Sequence, residues 1–193
     1  MWRSKLLGWA IALALIGCFS AISIAAEFSA DLLLEQAGET VTGKVYVKGD
    51  KIRQEYIQRG TKQAMIFRFD KEMFWLLMPA EKVYMDISNN EGALASDPTL
   101  DQKIKDTAVQ KYLGKETVNG YTCEKYQYIY NDTSRGIVTQ WYSKKLNYPL
   151  KTEYKSPSGY MLTEYKNMKE GRVSDSLFDV PGDYMKMSLP GMR

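Results

Sequence analysis

The sequence predicts a mainly β (α+β) protein, one antiparallel sheet of roughly nine or ten strands with a single helix packed on one face. Three observations predict it. Apolar and polar residues alternate at a period of two through most of the chain after Glu27, the pattern of half-buried strands. Turn pairs at Gly49-Asp50, Asp70-Lys71 and Asn119-Gly120 separate these runs at hairpin spacing. One stretch, from Pro98 to about Leu113, has helical spacing instead.

Residues 1–26 read as an export signal. Arg3 and Lys5 give a basic start, an apolar run follows from Leu6 to Ala26, and Ala25-Ala26 closes it with small residues. Cleavage near Ala26 would release a single periplasmic domain, residues 27–193. Leu15-Ile16-Gly17-Cys18 offers an alternative, a lipobox anchoring the protein through a lipidated Cys18. The run is also about long enough to stay in a bilayer as a helix. Cleavage is the preferred reading because the residues after Cys18 are apolar and the first strand starts at Phe28, which leaves no polar tether.

In the first hairpin, Gly49-Asp50 puts Val45, Val47, Ile52 and Tyr56 on one face. Lys44, Tyr46, Lys48, Lys51, Arg53 and Glu55 fall on the other, and Gly at the first central position suits a type II′ turn. The next hairpin turns at Asp70-Lys71 and sets Phe67 across from Phe74 and Met65 across from Leu76. Its other face carries Ile66, Met73, Trp75 and Leu77, so both sides are apolar and must be covered by protein or by a ligand. The helix is signalled by Asp97 as N-cap, Pro98 at the first position and Asp101 in the first turn. Leu100, Ile104, Ala108 and Tyr112 would form its apolar stripe.

After the Asn119-Gly120 turn, Tyr126, Tyr128 and Tyr130 share one strand face, and Ile137, Thr139 and Trp141 alternate along the next strand. Thr-Glu-Tyr-Lys occurs at 152–155 and again at 163–166. A turn at Gly159-Tyr160 would set Tyr154 beside Tyr165 and pair Glu153 with Lys166. The Met-, Pro- and Gly-rich end, about 182–193, reads as a loose tail.

Composition excludes several functions. Without Arg3 and Lys5, the chain's 26 Lys and Arg fall to 24 against 23 Asp and Glu. A nearly neutral domain with scattered cations lacks the footprint of a nucleic-acid binder. There is no histidine, so the commonest general base and metal ligand are both missing. No cofactor motif or catalytic constellation appears, and a non-enzymatic protein without a cofactor is expected. Cys123, alone once Cys18 is removed, reads as a small buried apolar residue.

The segments "FSADLLLEQAGETVTGKVYVKGDKIRQEY", "MIFRFDKEMFWLLMPAEKVYMDI", "LGKETVNGYTCEKYQY", "TQWYSKKLNYPLKTEY" and "DSLFDVPGDYMKM" together resemble a family of bacterial periplasmic proteins of unknown function. That family is grouped with the outer-membrane lipoprotein-sorting proteins similar to LolA and LolB. The resemblance implies a strongly curved half-barrel sheet, closed by helices, with an apolar cavity for acyl chains.

Three functional readings follow. The first is a periplasmic carrier of a hydrophobic ligand, with a lipid or acylated protein as partner. Its pocket candidates are Phe67, Phe74, Trp75 and Leu76 from the second hairpin, joined by Tyr126, Tyr128 and Trp141. Trp75 lies on the opposite parity from Phe74 and Leu76, so the set cannot face one cavity. The second reading is a cell-envelope interaction or structural protein that holds no ligand. The third is soft-metal binding, since Met185-Lys186-Met187, with Met192 nearby, supplies thioethers of the kind that prefer Cu(I).

Overall fold

The computed structural model describes residues 26–36, 38–58, 60–88, 104–157 and 159–187. The leader with Cys18, the first residues of the expected helix (98–103) and the tail from 188, including Met192, lie outside the described residues. Twelve strands form one open sheet: β1 (Glu27–Gln36), β2 (Glu39–Lys48), β3 (Lys51–Gln58), β4 (Thr61–Arg68), β5 (Met73–Met78), β6 (Val83–Asp86), β7 (Ala108–Val118), β8 (Tyr121–Tyr130), β9 (Ile137–Ser143), β10 (Tyr148–Ser156), β11 (Gly159–Glu170) and β12 (Met185–Met187). Their spatial order is β12-β6-β5-β4-β3-β2-β1-β11-β10-β9-β8-β7. Every pairing is antiparallel except β12 on β6.

Most neighbours are joined by short hairpins, as the turn pairs require. Lys48 pairs with Lys51 across Gly49-Asp50, and Gly49 has φ 56°, the positive value that a type II′ turn places at its first central residue. Asn119 and Gly120 are both at positive φ, 48° and 86°, as a type I′ turn demands. The second hairpin has the expected register, Phe67 opposite Phe74 and Met65 opposite Leu76. A 3-10 turn, Phe69–Lys71, and a left-handed Glu72 close it.

Because paired residues share a face, the register divides the sheet into a front and a back. The front carries Phe28, Ala30, Leu32, Val45, Val47, Ile52, Phe67 and Phe74, which pack as one buried cluster. The back carries Ala64, Ile66, Trp75 and Leu77. Gly43 lies where β2 and β3 approach closely: a Cβ there would fall 1.9 Å from the Glu55 carbonyl oxygen.

Three expectations are corrected. The helix from Pro98 to Leu113 is reduced, among the described residues, to one turn, α1 (Ile104–Thr107). Residues 108–113 belong to β7, which pairs with β8 from Ala108 opposite Tyr130 to Val118 opposite Tyr121. The long hairpin through Asn119-Gly120 outweighs a four-residue stripe that any short apolar run produces by local spacing. Ile104 is nevertheless buried, against Tyr128, Tyr130 and Val138. The last hairpin turns at Pro157 rather than Gly159-Tyr160: Thr152 faces Thr163 and Tyr154 faces Met161. Tyr165 pairs instead with Leu32 of β1. Because the slip is an even number of residues, every side chain keeps its face. Finally, residues 182–187 are docked rather than loose. β12 pairs with β6, and Lys82 bridges Asp183 at 2.8 Å.

A candidate ligand-binding face

The question raised by the two apolar sides of β4 and β5 has different answers on the two faces. On the back, the chain covers itself. After β11 it crosses β2–β5 as a strap, residues 172–184, which lays Val173, Leu177, Phe178, Val180 and Tyr184 against Ala64, Ile66, Trp75 and Leu77. The basic residues that the sequence places on this face hold the strap down. Lys48 donates to the Val173 carbonyl at 3.2 Å, and Lys48 and Lys51 grip the Asp175 carboxylate at 2.7 and 2.5 Å. Arg53 donates to the Leu177 carbonyl at 3.1 Å. Arg68, only 6% exposed, holds the Phe178 carbonyl at 3.3 Å, Asp179 at 2.8 Å and Asp70 through two bonds at 2.9 and 2.8 Å.

On the front, the apolar surface runs further than the buried core. Register places side chains in rows that cross the strands. The first row, Phe74–Phe67–Ile52–Val47–Phe28, is buried throughout. The next, Met187–Met85–Leu76–Met65–Gln54–Val45–Ala30, is buried at Ala30, Val45 and Gln54, half-buried at Met65, Leu76 and Met85, and exposed at Met187. Toward the other end, Val41–Leu34–Thr163–Thr152–Gln140–Tyr126–Tyr112 forms a mixed row. Thr152 and Thr163 are each 3% exposed, and the Thr163 hydroxyl is buried with no hydrogen-bond partner. A bulge between Pro149 and Lys151 lets Tyr148 share a side with Ser143 while its ring meets Phe28 at 5.3 Å and Tyr165 at 5.9 Å.

The seven pocket candidates divide among these surroundings. Phe67 and Phe74 are core residues of the front, and Leu76 lies half-buried beside them. Trp75 faces the back under the strap. Tyr128 sits in a separate front cluster with Ile104, and Tyr126 packs beside it. Trp141 lies with Cys123, Leu146 and Leu150. Lys125 and Lys151 each stand 4.6 Å from its ring, and its indole N–H donates to Glu116 at 2.5 Å. Leu34, Val41 and Met85, which the sequence does not single out, join these rows only once strand order is known, whereas Met65 is already placed opposite Leu76 by the hairpin alone.

The titratable groups near these rows are shifted by burial and by their hydrogen-bond partners. The Glu124 carboxylate accepts the Tyr126 hydroxyl at 2.5 Å and pushes that phenol up to about 12. Burial raises the Tyr128 phenol, with Gln110 donating to its oxygen at 3.0 Å. Burial also raises the Cys123 thiol, which keeps it protonated and unreactive. Among the described residues, no group of three or more His, Cys, Asp and Glu side chains is placed to hold a metal ion.

Solved structures share this architecture. An uncharacterized conserved protein from Thermus thermophilus aligns over 86% of this chain and 91% of its own, at 11% identity and TM-score 0.58. MucB, in the Pseudomonas aeruginosa MucA/MucB complex, aligns over 86% of this chain and 60% of its own, at 12% identity and TM-score 0.55. This chain spans about three fifths of the MucB chains that it matches. A LolA superfamily protein from Nitrosomonas europaea is also similar, at 13% identity and TM-score 0.39 over 82% of this chain and 91% of its own. For the Thermus protein and MucB, the likeness at these identities is one of fold. A comparison with curated proteins returns no match. The family model described as a domain of unknown function, DUF4412, matches residues 31–147, more than half of the chain, and the protein belongs to that family.

Proposed function

We propose that the protein is a periplasmic carrier that binds an apolar ligand, a lipid or the acyl chain of a lipoprotein, on the front of its sheet. The observation that carries this reading is the half-buried row Met65, Leu76 and Met85, an apolar surface in register that extends beyond the core. An exported protein gains little from leaving such a row uncovered, and apolar surface with few polar groups is what ligand sites are made of. Phe67 and Phe74 form the floor of this site, Leu76 its wall, and Tyr126 and Tyr128 its far end. Bulges in β1/β11, β9/β10 and β7/β8 bend a sheet locally and suit one that curves around a chain.

The test uses the purified protein and a fluorescent fatty acid, with mass spectrometry of the organic-solvent extract for co-purified lipid. Leu76→Glu, which places an unpaired charge in the row, should weaken binding by roughly tenfold or more. Tyr46→Glu on the back should leave binding unchanged. Equal binding by wild type and a folded Leu76→Glu protein would remove the front face from the site.

A second reading has its own observation. Among the described residues, β7 is an edge strand that pairs with β8 alone and exposes Val109 (61%), Tyr112 (52%) and Leu113 (41%), and an apolar edge is a place for another chain to add a strand. On this reading the protein works as an envelope interaction partner. Protein pull-down that survives Leu76→Glu and is lost in Val109→Lys/Leu113→Lys would favour it over the carrier.

A further inference from the structure

Methionines gather at one end of the front face. Met65 lies on β4, Met78 on β5, Met85 on β6, and Met185 and Met187 on β12, all with the parity of Phe74. The pair at 185 and 187 is the spacing that suggested a soft metal in the sequence. Strand order now adds the partner that spacing alone could not supply. The parallel pairing of β12 on β6 sets Met187 directly opposite Met85 and Met185 opposite Val83.

We propose that Met85, Met185 and Met187 form a three-thioether site for a soft monovalent cation of the Cu(I) class. Neighbouring strands lie about 4.8 Å apart and residues two apart on a strand about 6.6 Å, with side chains on one face. Unbranched methionine side chains with three rotatable bonds can converge across such distances. All three donors are neutral sulfurs, which select Cu(I) and Ag(I) over zinc, magnesium or calcium. The intervening Lys186 points the other way, where its ammonium meets Asp86 at 3.0 Å, so it leaves the sulfur side free of its charge. Met185 is 69% and Met187 45% exposed on the edge strand, which leaves the site open to exchange a metal with another chain. Met78 is set back from the site, because Val83 stands between it and Met185.

The experiment titrates the purified full chain with ascorbate-generated Cu(I) against a colorimetric Cu(I) chelator, with Ag(I) as a redox-silent probe for methionine methyl NMR. The wild type should withhold a single equivalent of Cu(I) and no Cu(II), and Ag(I) should shift the methyls of Met85, Met185 and Met187. Met→Leu keeps volume and fold. Met85→Leu and Met187→Leu should each weaken binding by roughly tenfold or more, as loss of even an outer partner of a metal ligand does. The triple Leu variant should withhold none, and Met161→Leu, buried on β11, should behave as wild type. Failure of the wild type to withhold Cu(I), undiminished binding in the triple variant, or shifts confined to other methionines would each overturn the site. Fatty-acid binding at Leu76 is read separately and does not depend on the result.

Discussion

Arg68 shows how a single charged residue can be placed by the sheet and used by the strap. Its guanidinium lies on the back face with two carboxylates and one carbonyl as acceptors. Arg68→Met would strand the Phe178 carbonyl and leave Asp70 and Asp179 without their shared cation. Since Asp70 and Asp179 keep 33% and 60% of their side-chain surface in water, the full cost of breaking a buried pair is not reached. We expect a loss of about 1–3 kcal/mol, measured by urea unfolding. Asp175 makes the companion case in pH. Its hydrogen bonds to Lys48 and then Lys51 lower its pKa from 3.8 to about 2. A depressed carboxylate contributes stability that is complete above its unfolded pKa and lost as pH falls through the folded one. Thermal melts should therefore soften as pH drops from 3.8 toward 2, and Asp175→Asn should remove some of that dependence while lowering stability at neutral pH.

At the scale of elements, the strap is the piece to test. Phe178 is fully buried at the end of the 3-10 turn Asp175–Phe178 and fills the space over Ile66 and Trp75. Phe178→Ala should cost about 3–5 kcal/mol through lost burial and the cavity left behind, with a change in tryptophan fluorescence as Trp75 gains water. Ligand binding on the front should persist where the variant is still folded, because Leu76 faces away from Phe178. The hairpins are the elements most legible in the sequence. Gly49-Asp50 and Asn119-Gly120 carry their turn geometry in residue type, since glycine and asparagine alone enter the left-handed region cheaply. β7 was not legible for the opposite reason. Helical spacing in Ile104, Ala108 and Tyr112 is a local signal, and the eleven-residue ladder with β8 that overrides it is not.

For the whole molecule, the strap and the edges decide behaviour. A chain ended after Glu170 would uncover Ala64, Ile66, Trp75 and Leu77 and remove β12 from the β6 edge. It should aggregate during refolding while the full chain stays monodisperse by light scattering. The maturation of the chain has its own measurement. Mass spectrometry of the native N-terminus should find a mature protein starting near Glu27, and a diacylated Cys18 would make it membrane-anchored instead.

Residue order alone dictates which side chains share a face. Alternation at period two survives even the register slip at Pro157, because an even shift leaves every side chain where parity put it. Residue order also dictates that both sides of β4 and β5 need cover, and that histidine chemistry is absent. What meets them is decided in three dimensions: a strap from the far end of the chain covers the back, while on the front their side chains join rows assembled from seven strands. Parity is a property of neighbouring residues and can be read locally. Where neighbouring strands are not consecutive, their order is set by pairings between residues more than a hundred positions apart, such as Leu32 with Tyr165 and Met85 with Met187, and no local pattern encodes it. For that reason the candidate residues Phe74 and Leu76 were legible as a pair, whereas their separation from Trp141, and the meeting of Met85 with Met187, were not.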